Sequence, residues 1–298
     1  MARLREASVP SPTLAAELLL MHSLGHDRAW IYAHPEVVLT AAEAETYFRL
    51  LERRAAGEPT QYLTGKQEFW GLEFEVTPAV LIPRPETEHV IEVALERLGE
   101  ERGIRINMRT GAPTPRSRIA DVGTGSGCIA AALAHELPHA QIVATDISED
   151  ALEVARRNAA RHGVNERIEF IRTDLLGEML ERPRESRRGE QLFDLIVSNP
   201  PYVARNEAQD LPREVREHEP AAALFAGPTG IELYERLIEQ AAELLAPGGI
   251  VVLELGYNCA DGVRAILSRQ RVWVNVSVTN DLAGIPRVIA AERARDPK

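Results

Sequence analysis

The sequence predicts an α/β protein, in which a doubly wound domain with a mainly parallel sheet follows a small all-helical domain. Three observations predict this class. Apolar residues recur at helical spacing over residues 13–57. From residue 118 onward, short apolar strands alternate with helices. The 298 residues are also enough for two domains. We expect the helical domain over residues 1–66, a linking β-hairpin over 67–80 and the α/β domain over 81–298.

Composition excludes several kinds of partner and setting. The sequence contains 34 Lys and Arg residues and 45 Asp and Glu residues. The resulting net charge of −11 argues against stable nucleic-acid binding through charge neutralisation. No apolar run approaches the ~20 residues of a membrane helix, and no secretory signal is evident. The two cysteines, Cys128 and Cys259, have no metal-ligand spacing. We therefore expect a cytoplasmic protein without membrane contact and without a metal cofactor.

The N-terminal region has the spacing of short helices. Leu14, Leu18 and Met21 share one face of a first helix, and residues 41–56 form a later one. Thr40 is the expected N-cap of that later helix, and Glu43 completes a capping box. No cluster of chemically active residues occurs here, so a scaffold role and a role in partner recognition both stay open.

Between the two domains, aromatic and β-branched residues alternate around Gly71, which predicts the hairpin. Pro83 and Pro85 then restrict the backbone before a helix over residues 86–98.

The α/β domain contains alternating strands and helices, which indicates a parallel sheet covered on both faces. The last two strands should form an edge hairpin. The expected strands are 118–122, 141–145, 168–172, 192–198, 250–255, 272–278 and 287–291, and the expected helices are 128–136, 149–162 and 231–245.

Two polar segments interrupt this pattern, an Arg-rich one over residues 100–118 and another over 181–190. Charge runs of this kind are usually solvated surface, so we favour loops over RNA or partner contact.

A glycine-rich turn follows the first strand, from Asp121 to Gly127. Glycines allow a tight turn and close approach of a ligand, and ligands of such sheets bind at the carboxyl ends of strands. The third glycine comes one residue too early for the dinucleotide fingerprint. Asp146 ends the second strand, where a carboxylate can accept both hydroxyls of a ribose, and Asp174 after the third could meet an adenine amino group. The alternative is that these acids are N-caps of the helices that follow. The occurrence of all three acids beside the glycine turn makes a cofactor role the favoured interpretation.

The fourth strand ends in the sequence Asn199-Pro200-Pro201-Tyr202. The prolines fix the backbone and remove two donors, so that the carbonyl groups of Asn199 and Pro200 can accept both N–H bonds of a planar amino or amide group. The Tyr202 ring can stack on that group. Such acceptors favour the positive charge that grows on nitrogen during methyl transfer, and no strong base is required. An ordinary proline turn is the alternative, and the eight histidines have no evident part in this chemistry.

The glycine turn and the strand-end acids resemble those of class I S-adenosylmethionine-dependent methyltransferases, whose fold is Rossmann-like. The resemblance implies that the glycine loop contacts the methionine part of the cofactor, the acid after the second strand the ribose, and the residues after the third strand the adenine. Carried over to this chain, the cofactor contacts are Asp121, Gly123, Thr124, Gly125, Ser126, Gly127, Asp146, Asp174, Leu175 and Asn199.

Residues 81–88, LIPRPETE, resemble the segment typical of the PrmC/HemK family, the release factor glutamine methyltransferases. The helical N-terminal region and residues 65–71, 218–220 and 281–284 resemble the same family. The resemblance implies methylation of the glutamine in the Gly-Gly-Gln motif of bacterial class I release factors. Asn199, Pro200, Pro201 and Tyr202 would bind that glutamine, with catalysis by Asn199, Pro200 and Tyr202. Leu81 and Arg84 would lie near the pocket, and the helical domain would contact the body of the release factor.

Three alternatives are weighed against this function. A glutamine methyltransferase of a large-subunit ribosomal protein is expected to have a different sequence after the position of Arg84. Residues 85–88, PETE, therefore speak against this alternative. An N6-adenine methyltransferase acting on nucleic acid is disfavoured by the net charge of −11 and by the lack of a recognisable nucleic-acid module. A binding module without activity would have lost the glycines or Asn199, and both are present.

Overall fold

The computed structural model describes residues 2–101, 117–181 and 192–295. Of the two polar segments, residues 102–116 and 182–190 lie outside the described residues. No helix in the described ranges is both long and apolar enough to cross a membrane.

Five helices precede the hairpin, and four of them, all but the third, share one small core. Leu4, Leu19, Leu50 and Leu63 are all buried there. The capping box predicted from sequence is confirmed, since the Thr40 amide donates to Glu43 Oε2 at 2.8 Å and the Glu43 amide donates to Thr40 Oγ1 at 3.3 Å. The helices are α1 (Ala2–Glu6), α2 (Pro12–Leu24), α3 (Arg28–Ala33), α4 (Ala41–Ala55) and α5 (Thr60–Thr64).

The hairpin that follows is shorter than expected. Strands β1 (Lys66–Phe69) and β2 (Leu72–Glu75) pair antiparallel, and Phe69 and Phe74 are buried against the α/β domain. Val80, which the alternation assigned to the hairpin, instead packs beside helix residues 151 and 154. A single 3₁₀ turn, Pro85–Thr87, then precedes α6 (Glu88–Glu101).

The large sheet has seven strands, and the parallel arrangement predicted from sequence is confirmed for five of them. The first half of the domain consists of β3 (Arg118–Val122), α7 (Cys128–Glu136), β4 (Gln141–Asp146), α8 (Glu149–Arg161), β5 (Ile168–Arg172), α9 (Gly177–Glu181) and β6 (Phe193–Ser198). The second half consists of β7 (Val203–Ala204), α10 (Arg213–His218), α11 (Ala221–Leu224), β8 (Phe225–Gly227), α12 (Glu232–Leu244), β9 (Leu245–Glu254), α13 (Ala260–Arg269), β10 (Trp273–Asn280) and β11 (Pro286–Arg293).

The strand order in the large sheet is β10-β11-β9-β6-β3-β4-β5. Strands β10 and β11 pair antiparallel and β10 lies at the edge, which confirms the expected edge hairpin. Helix α13 was not predicted, although Val263, Ile266 and Leu267 have helical spacing and are buried. The short strands β7 and β8 were not predicted either, because two- and three-residue strands have no readable period.

Side chains of the strands alternate between two buried layers, as the pleat of a sheet requires. Ile119, Leu195 and Val197 pack with α6 and α7 on one face. Ala120 and Ile196 pack with α12 and α13 on the other face. Both faces of the sheet are therefore covered, and the carboxyl ends of the parallel strands share one open edge.

A buried side chain, Asn158 of α8, fastens the hairpin to the α/β domain. Its Oδ1 accepts the Glu75 amide at 2.7 Å, and its Nδ2 donates to the carbonyls of Glu75 at 3.0 Å and Ser126 at 2.8 Å. One amide thus satisfies three backbone groups from two distant segments. Because Ser126 belongs to the glycine turn, this contact also supports the predicted cofactor loop.

We expect Asn158→Ala to lower the free energy of unfolding by about 2–4 kcal/mol, because it leaves three backbone groups without their partner. Urea unfolding measures the loss. The matched control is Asn165→Ala, at an exposed asparagine, which should change stability by less than about 0.5 kcal/mol. Equal stability of the two variants would contradict the role assigned to Asn158.

Candidate active site

The register of the sheet brings the predicted site residues to one edge. Val122 of β3 is paired with Thr145 of β4 and with Ser198 of β6, and Ser198 is paired with Leu253 of β9. The residues that follow these four strand positions therefore begin their loops side by side, as is usual for ligand sites in doubly wound sheets.

The glycine turn at this edge contains two open positions and one packed position. Gly123 and Gly125 have φ values of 71° and 54°, and a Cβ added at either would meet no heavy atom within 4 Å. A Cβ at Gly127 would instead lie 3.0 Å from the Cβ of Ala155 on α8. Gly127 therefore serves helix packing, whereas Gly123 and Gly125 leave a cradle that a ligand can fill.

Asp121 lies beneath this turn and is fully buried. Its Oδ2 accepts hydrogen bonds from Thr124 Oγ1 at 2.6 Å and from the Ala130 amide at 3.1 Å. Burial raises the pKa of this carboxyl to about 7. The Asp121 side chain therefore supports the turn, and direct contact of this residue with the cofactor stays a prediction. Thr124 and Ser126 are also buried.

Asp146 ends β4 and is hydrogen-bonded to the glycine turn. Its Oδ2 accepts the Gly125 amide at 2.9 Å and its Oδ1 accepts the Ser148 amide at 2.9 Å, which ties it to the open part of the glycine turn. The Ile147 amide also acts on this carboxylate, which offers about four acceptor positions in all. Burial raises the pKa of Asp146. The N-cap of α8 is Ser148, whose Oγ accepts the Ala151 amide at 3.2 Å, so the N-cap alternative for Asp146 is wrong.

The third predicted acid, Asp174, is exposed and forms an ion pair with Arg236 of α12 at 2.6 Å. Its neighbour Leu175 has a left-handed backbone, with φ of 55°, and packs against the core layer of α12. The described structure therefore gives Asp174 a protein partner, and its contact with adenine stays a prediction.

The Asn-Pro-Pro-Tyr segment begins directly after β6. Asn199 is half-buried, and its Nδ2 donates to Thr87 Oγ1 at 3.0 Å. Its Oδ1 has no hydrogen-bond partner within residues 2–101, 117–181 and 192–295. Pro200 is buried, whereas Pro201 and Tyr202 are half-buried. The segment thus presents a fixed side-chain amide with a free acceptor beside the glycine cradle.

The Tyr202 ring is held in place by Gly256. A Cβ at position 256 would lie 2.7 Å from Tyr202 Cδ2, so only glycine fits beneath the ring. The Tyr202 hydroxyl lies 3.5 Å from Glu254 Oε1, and burial raises the pKa of the tyrosine. The ring is therefore packed on one side and fixed near the end of β9.

Two residues of the site, Thr87 and Glu254, were missed by the sequence analysis. Both side chains are buried beside Asn199 and Tyr202. Burial raises the pKa of Glu254 to about 7. A signal for Glu254 was present, because it is an acid at the end of an otherwise apolar strand. Thr87 carried no such signal, since its partner is distant in sequence.

The segment from Leu81 to Arg84 is held by a third buried acid, Glu219. Its carboxylate accepts the Ile82 amide at 3.2 Å and pairs with the Arg84 guanidinium. Arg84 is close enough to Tyr202 to lower the pKa of that hydroxyl. Leu81 is half-buried. Arg84 thus lies near the Asn-Pro-Pro-Tyr segment, and its contact with a substrate stays a prediction.

Comparison with known proteins gives two matches to family descriptions. The PrmC N-terminal domain matches residues 1–65, and the methyltransferase small domain matches residues 104–217. Proteins named release factor glutamine methyltransferase from Koribacter versatilis, Bradyrhizobium diazoefficiens and Chlorobaculum tepidum are 47%, 42% and 44% identical to this chain. These matches cover 97%, 98% and 95% of this chain, and 94%, 92% and 90% of the relatives.

Solved structures share the fold at lower identity. The hMettl16 catalytic domain in complex with MAT2A 3′UTR hairpin 1 is 19% identical, with a TM-score of 0.57 over 84% of each chain. The T. thermophilus 16S rRNA N2 G1207 methyltransferase is 18% identical, with a TM-score of 0.51 over 76% of this chain and 49% of that chain. Both likenesses concern the fold.

We expect Gly123→Ala to weaken binding of S-adenosylmethionine by roughly tenfold or more, because the new methyl group enters the open cradle. Gly163→Ala is a matched control, since Gly163 has φ of 67° and equally open surroundings but lies after α8. Both variants should lose about 1 kcal/mol of stability through the left-handed backbone. Calorimetric titration and thermal unfolding separate the two effects. Unchanged affinity in Gly123→Ala would show that the cradle is not the cofactor site.

Proposed function

The chain belongs to the release factor glutamine methyltransferase family, and we propose that it methylates the glutamine of the Gly-Gly-Gln motif in bacterial class I release factors. The methyl donor is S-adenosylmethionine, and the acceptor is the side-chain amide nitrogen. The observation that carries this proposal is the position of Asn199: its free Oδ1 lies at the strand edge that also bears the open glycine cradle and Asp146.

An amide nitrogen is a poor nucleophile, because its lone pair is delocalised into the carbonyl group. Asn199 Oδ1 and the carbonyl oxygen of Pro200 can each accept one N–H of the glutamine amide. Such acceptors become stronger partners as positive charge develops on the nitrogen, so they stabilise the transition state more than the bound substrate. The prolines at 200 and 201 keep these acceptors fixed before the substrate arrives.

S-adenosylmethionine, when bound, supplies a methyl group on a sulfonium centre. The new N–C bond forms as the S–C bond breaks, and the methylated amide then loses a proton to water. No base among the site residues is required for this step, and we propose that no metal takes part. The half-buried Tyr202 ring, supported by Gly256, would lie against the planar amide and hold the nitrogen in line with the methyl group.

For the cofactor itself, we propose that Gly123 and Gly125 line the methionine part and that Asp146 accepts the ribose hydroxyls. The bond of Asp146 to the Gly125 amide and the open space over both glycines support this assignment. Adenine would lie beside Leu175, where Asp174 must exchange its ion pair with Arg236 for the adenine amino group.

We further propose that the N-terminal helices contact the body of the release factor. Tyr32 and Phe48 on these helices, and Val38 between α3 and α4, are large apolar side chains that are exposed. Exposed apolar surface is typical of interaction sites, which favours partner recognition over a pure scaffold. A release factor substrate also implies that the reaction takes place in the cytoplasm, where translation ends. The names of the relatives favour neither the ribosomal protein nor nucleic acid as the substrate.

The proposal is tested by offering tritiated S-adenosylmethionine and the purified protein with four substrates in parallel. These are a class I release factor, the same factor with its Gly-Gly-Gln glutamine changed to alanine, ribosomal proteins, and bulk nucleic acid. We expect label only in the intact release factor. Label in a ribosomal protein or in nucleic acid would move the substrate to one of the alternatives, and label in the alanine variant would move the methylation to another residue of the factor. Each of these outcomes would leave the cofactor unchanged.

We expect Asn199→Ala to reduce kcat by about 100-fold or more, since one of two acceptors for the developing charge is lost. Binding of S-adenosylmethionine, followed by calorimetry, should change by less than about threefold. A control for the loss of a surface asparagine is again Asn165→Ala, with full turnover. Full turnover of Asn199→Ala itself would exclude the proposed acceptor site.

A further inference from the structure

Residues 218–220 share the family pattern, but the proposed reaction assigns them no role. Glu219 directly follows α10, and its side chain is only 1% exposed. Its Oε2 accepts the Ile82 amide at 3.2 Å, and its Oε1 accepts from the Arg84 guanidinium. Both partners belong to one short segment on the far side of the acceptor site. A buried carboxylate depends on such partners, because an unpaired buried charge is strongly destabilising.

The segment that Glu219 holds leads directly to the side chain of Asn199. Arg84 precedes the 3₁₀ turn Pro85–Thr87, and its carbonyl accepts the Thr87 amide at 3.1 Å. Thr87 Oγ1 in turn accepts a hydrogen bond from Asn199 Nδ2 at 3.0 Å. Thr87 is only 2% exposed, so bulk water cannot readily replace this contact. The surroundings of the Asn199 amide therefore depend on where the backbone of Arg84 lies.

The chain itself connects Asn199 back to Glu219 and so closes this series of contacts. After Asn199 it passes through Tyr202 and β7 to α10, and Glu219 follows that helix. Strand β7 also pairs with β8, which fixes the start of this excursion to its end. The excursion that begins with the Asn-Pro-Pro-Tyr segment is thus joined to residues 82–87 at two points, Asn199 and Glu219.

Pro83 and Pro85 explain why a side chain is needed to hold this segment. Neither residue has an N–H, so residues 82–86 cannot form a continuous ladder of backbone hydrogen bonds. On the N-terminal side, the Tyr62 hydroxyl anchors the chain by donating to the Val80 carbonyl at 2.6 Å. Between that anchor and Thr87, Glu219 supplies one contact to the backbone and one to a side chain.

We infer that Glu219 is a positioning residue of the acceptor site: through Ile82 and Arg84 it fixes the turn that contains Thr87, and thereby the side chain of Asn199. Its carboxylate bonds to the supporting segment and acts on the acceptor only through that segment. The consequence for catalysis rests on the proposed function, whereas the coupling of Glu219 to Asn199 is a property of the free protein.

The first test compares Glu219→Gln with Glu214→Gln. Glutamine has the shape of glutamate, but its NH₂ end would face a donor in either orientation, so one of the two contacts of Glu219 must break. Glu214 lies in α10 and pairs with the buried Arg54 of the N-terminal helices, so its variant is the matched control for loss of a buried ion pair.

In assays with S-adenosylmethionine and a release factor, we expect kcat to fall about tenfold in Glu219→Gln and to stay within about twofold of wild type in Glu214→Gln. The dissociation constant for S-adenosylmethionine should change by less than about threefold in both variants. An unchanged kcat in Glu219→Gln, or an equal fall in both variants, would overturn the inference.

The second test asks whether the effect of Glu219 passes through Thr87. Thr87→Val keeps the shape of the side chain but removes the hydroxyl, and we expect its kcat to fall about tenfold. Because both residues act on Asn199 along one path, the variant with both substitutions should lie within about threefold of the lower single variant. Independent structural effects would multiply to about 100-fold, and that outcome would contradict the inference.

A third readout is independent of activity. The side-chain NH₂ of Asn199 gives a pair of ¹H–¹⁵N signals, assigned by their loss in Asn199→Asp. We expect these signals to shift in Glu219→Gln and to keep their wild-type positions in Glu214→Gln. If Glu219→Gln does not fold, Glu219→Asp takes its place, because it retains the charge on a shorter side chain.

Unchanged Asn199 signals in the folded variant at position 219 would overturn the inference. If the wild type methylates no release factor, the proposed function fails, while these signals still report whether Glu219 and Asn199 are coupled.

Discussion

The parallel pairing of β6 with β3 on one side and with β9 on the other is the constraint on which the site depends. Val122, Ser198 and Leu253 lie side by side in this register, so the glycine turn, Asn199 and Glu254 follow at one level. A slip by one residue would turn every side chain of β6 to the opposite face. The Ser198 hydroxyl reinforces the register by donating to the Val122 carbonyl at 2.6 Å. The backbone hydrogen bonds of the sheet would therefore place the binding sites of the two substrates of the proposed reaction side by side, before any loop contributes.

Buried carboxyl groups then position the loops around this edge. Asp121 holds the glycine turn, Glu254 lies 3.5 Å from the Tyr202 hydroxyl, and Glu219 holds the segment that contains Ile82 and Arg84. Asp121 and Glu254 have pKa values raised to about 7, against about 4 in an unfolded chain. The folded state therefore binds more protons, and the stability contributed by each group is lost as pH rises from about 4 to 7. The chain retains groups that cost stability at neutral pH, which is typical of residues that serve a site rather than the core.

Much of this architecture could be predicted from local pattern, because strands, the capping box of α4 and the glycine turn are encoded in consecutive residues. The missing parts are contacts between distant segments. Thr87 and Asn199 are 112 residues apart in sequence, and nothing in either neighbourhood indicates that they meet. For Asp121, the position near a strand end can be predicted from the sequence. Its complete burial cannot, because that burial follows from the packing of α7. Helix α13 is different, because its apolar spacing was readable and was overlooked.

A doubly wound sheet of this kind hosts many reactions, so the choice of substrate must reside in the parts added to it. The added parts include the N-terminal helices and the segment around Arg84, and two ion pairs join them to the acceptor side of the site. Arg54 of α4, almost fully buried, pairs with Glu214 of α10, and Arg84 pairs with Glu219 directly after the same helix. The N-terminal helices and the segment beside the pocket are thus both anchored at α10. Only four residues of this helix separate Glu214 from Glu219. The helices proposed to recognise the release factor and the segment near Tyr202 are therefore held by neighbouring residues of the chain, so their positions are fixed relative to the same point of the α/β domain.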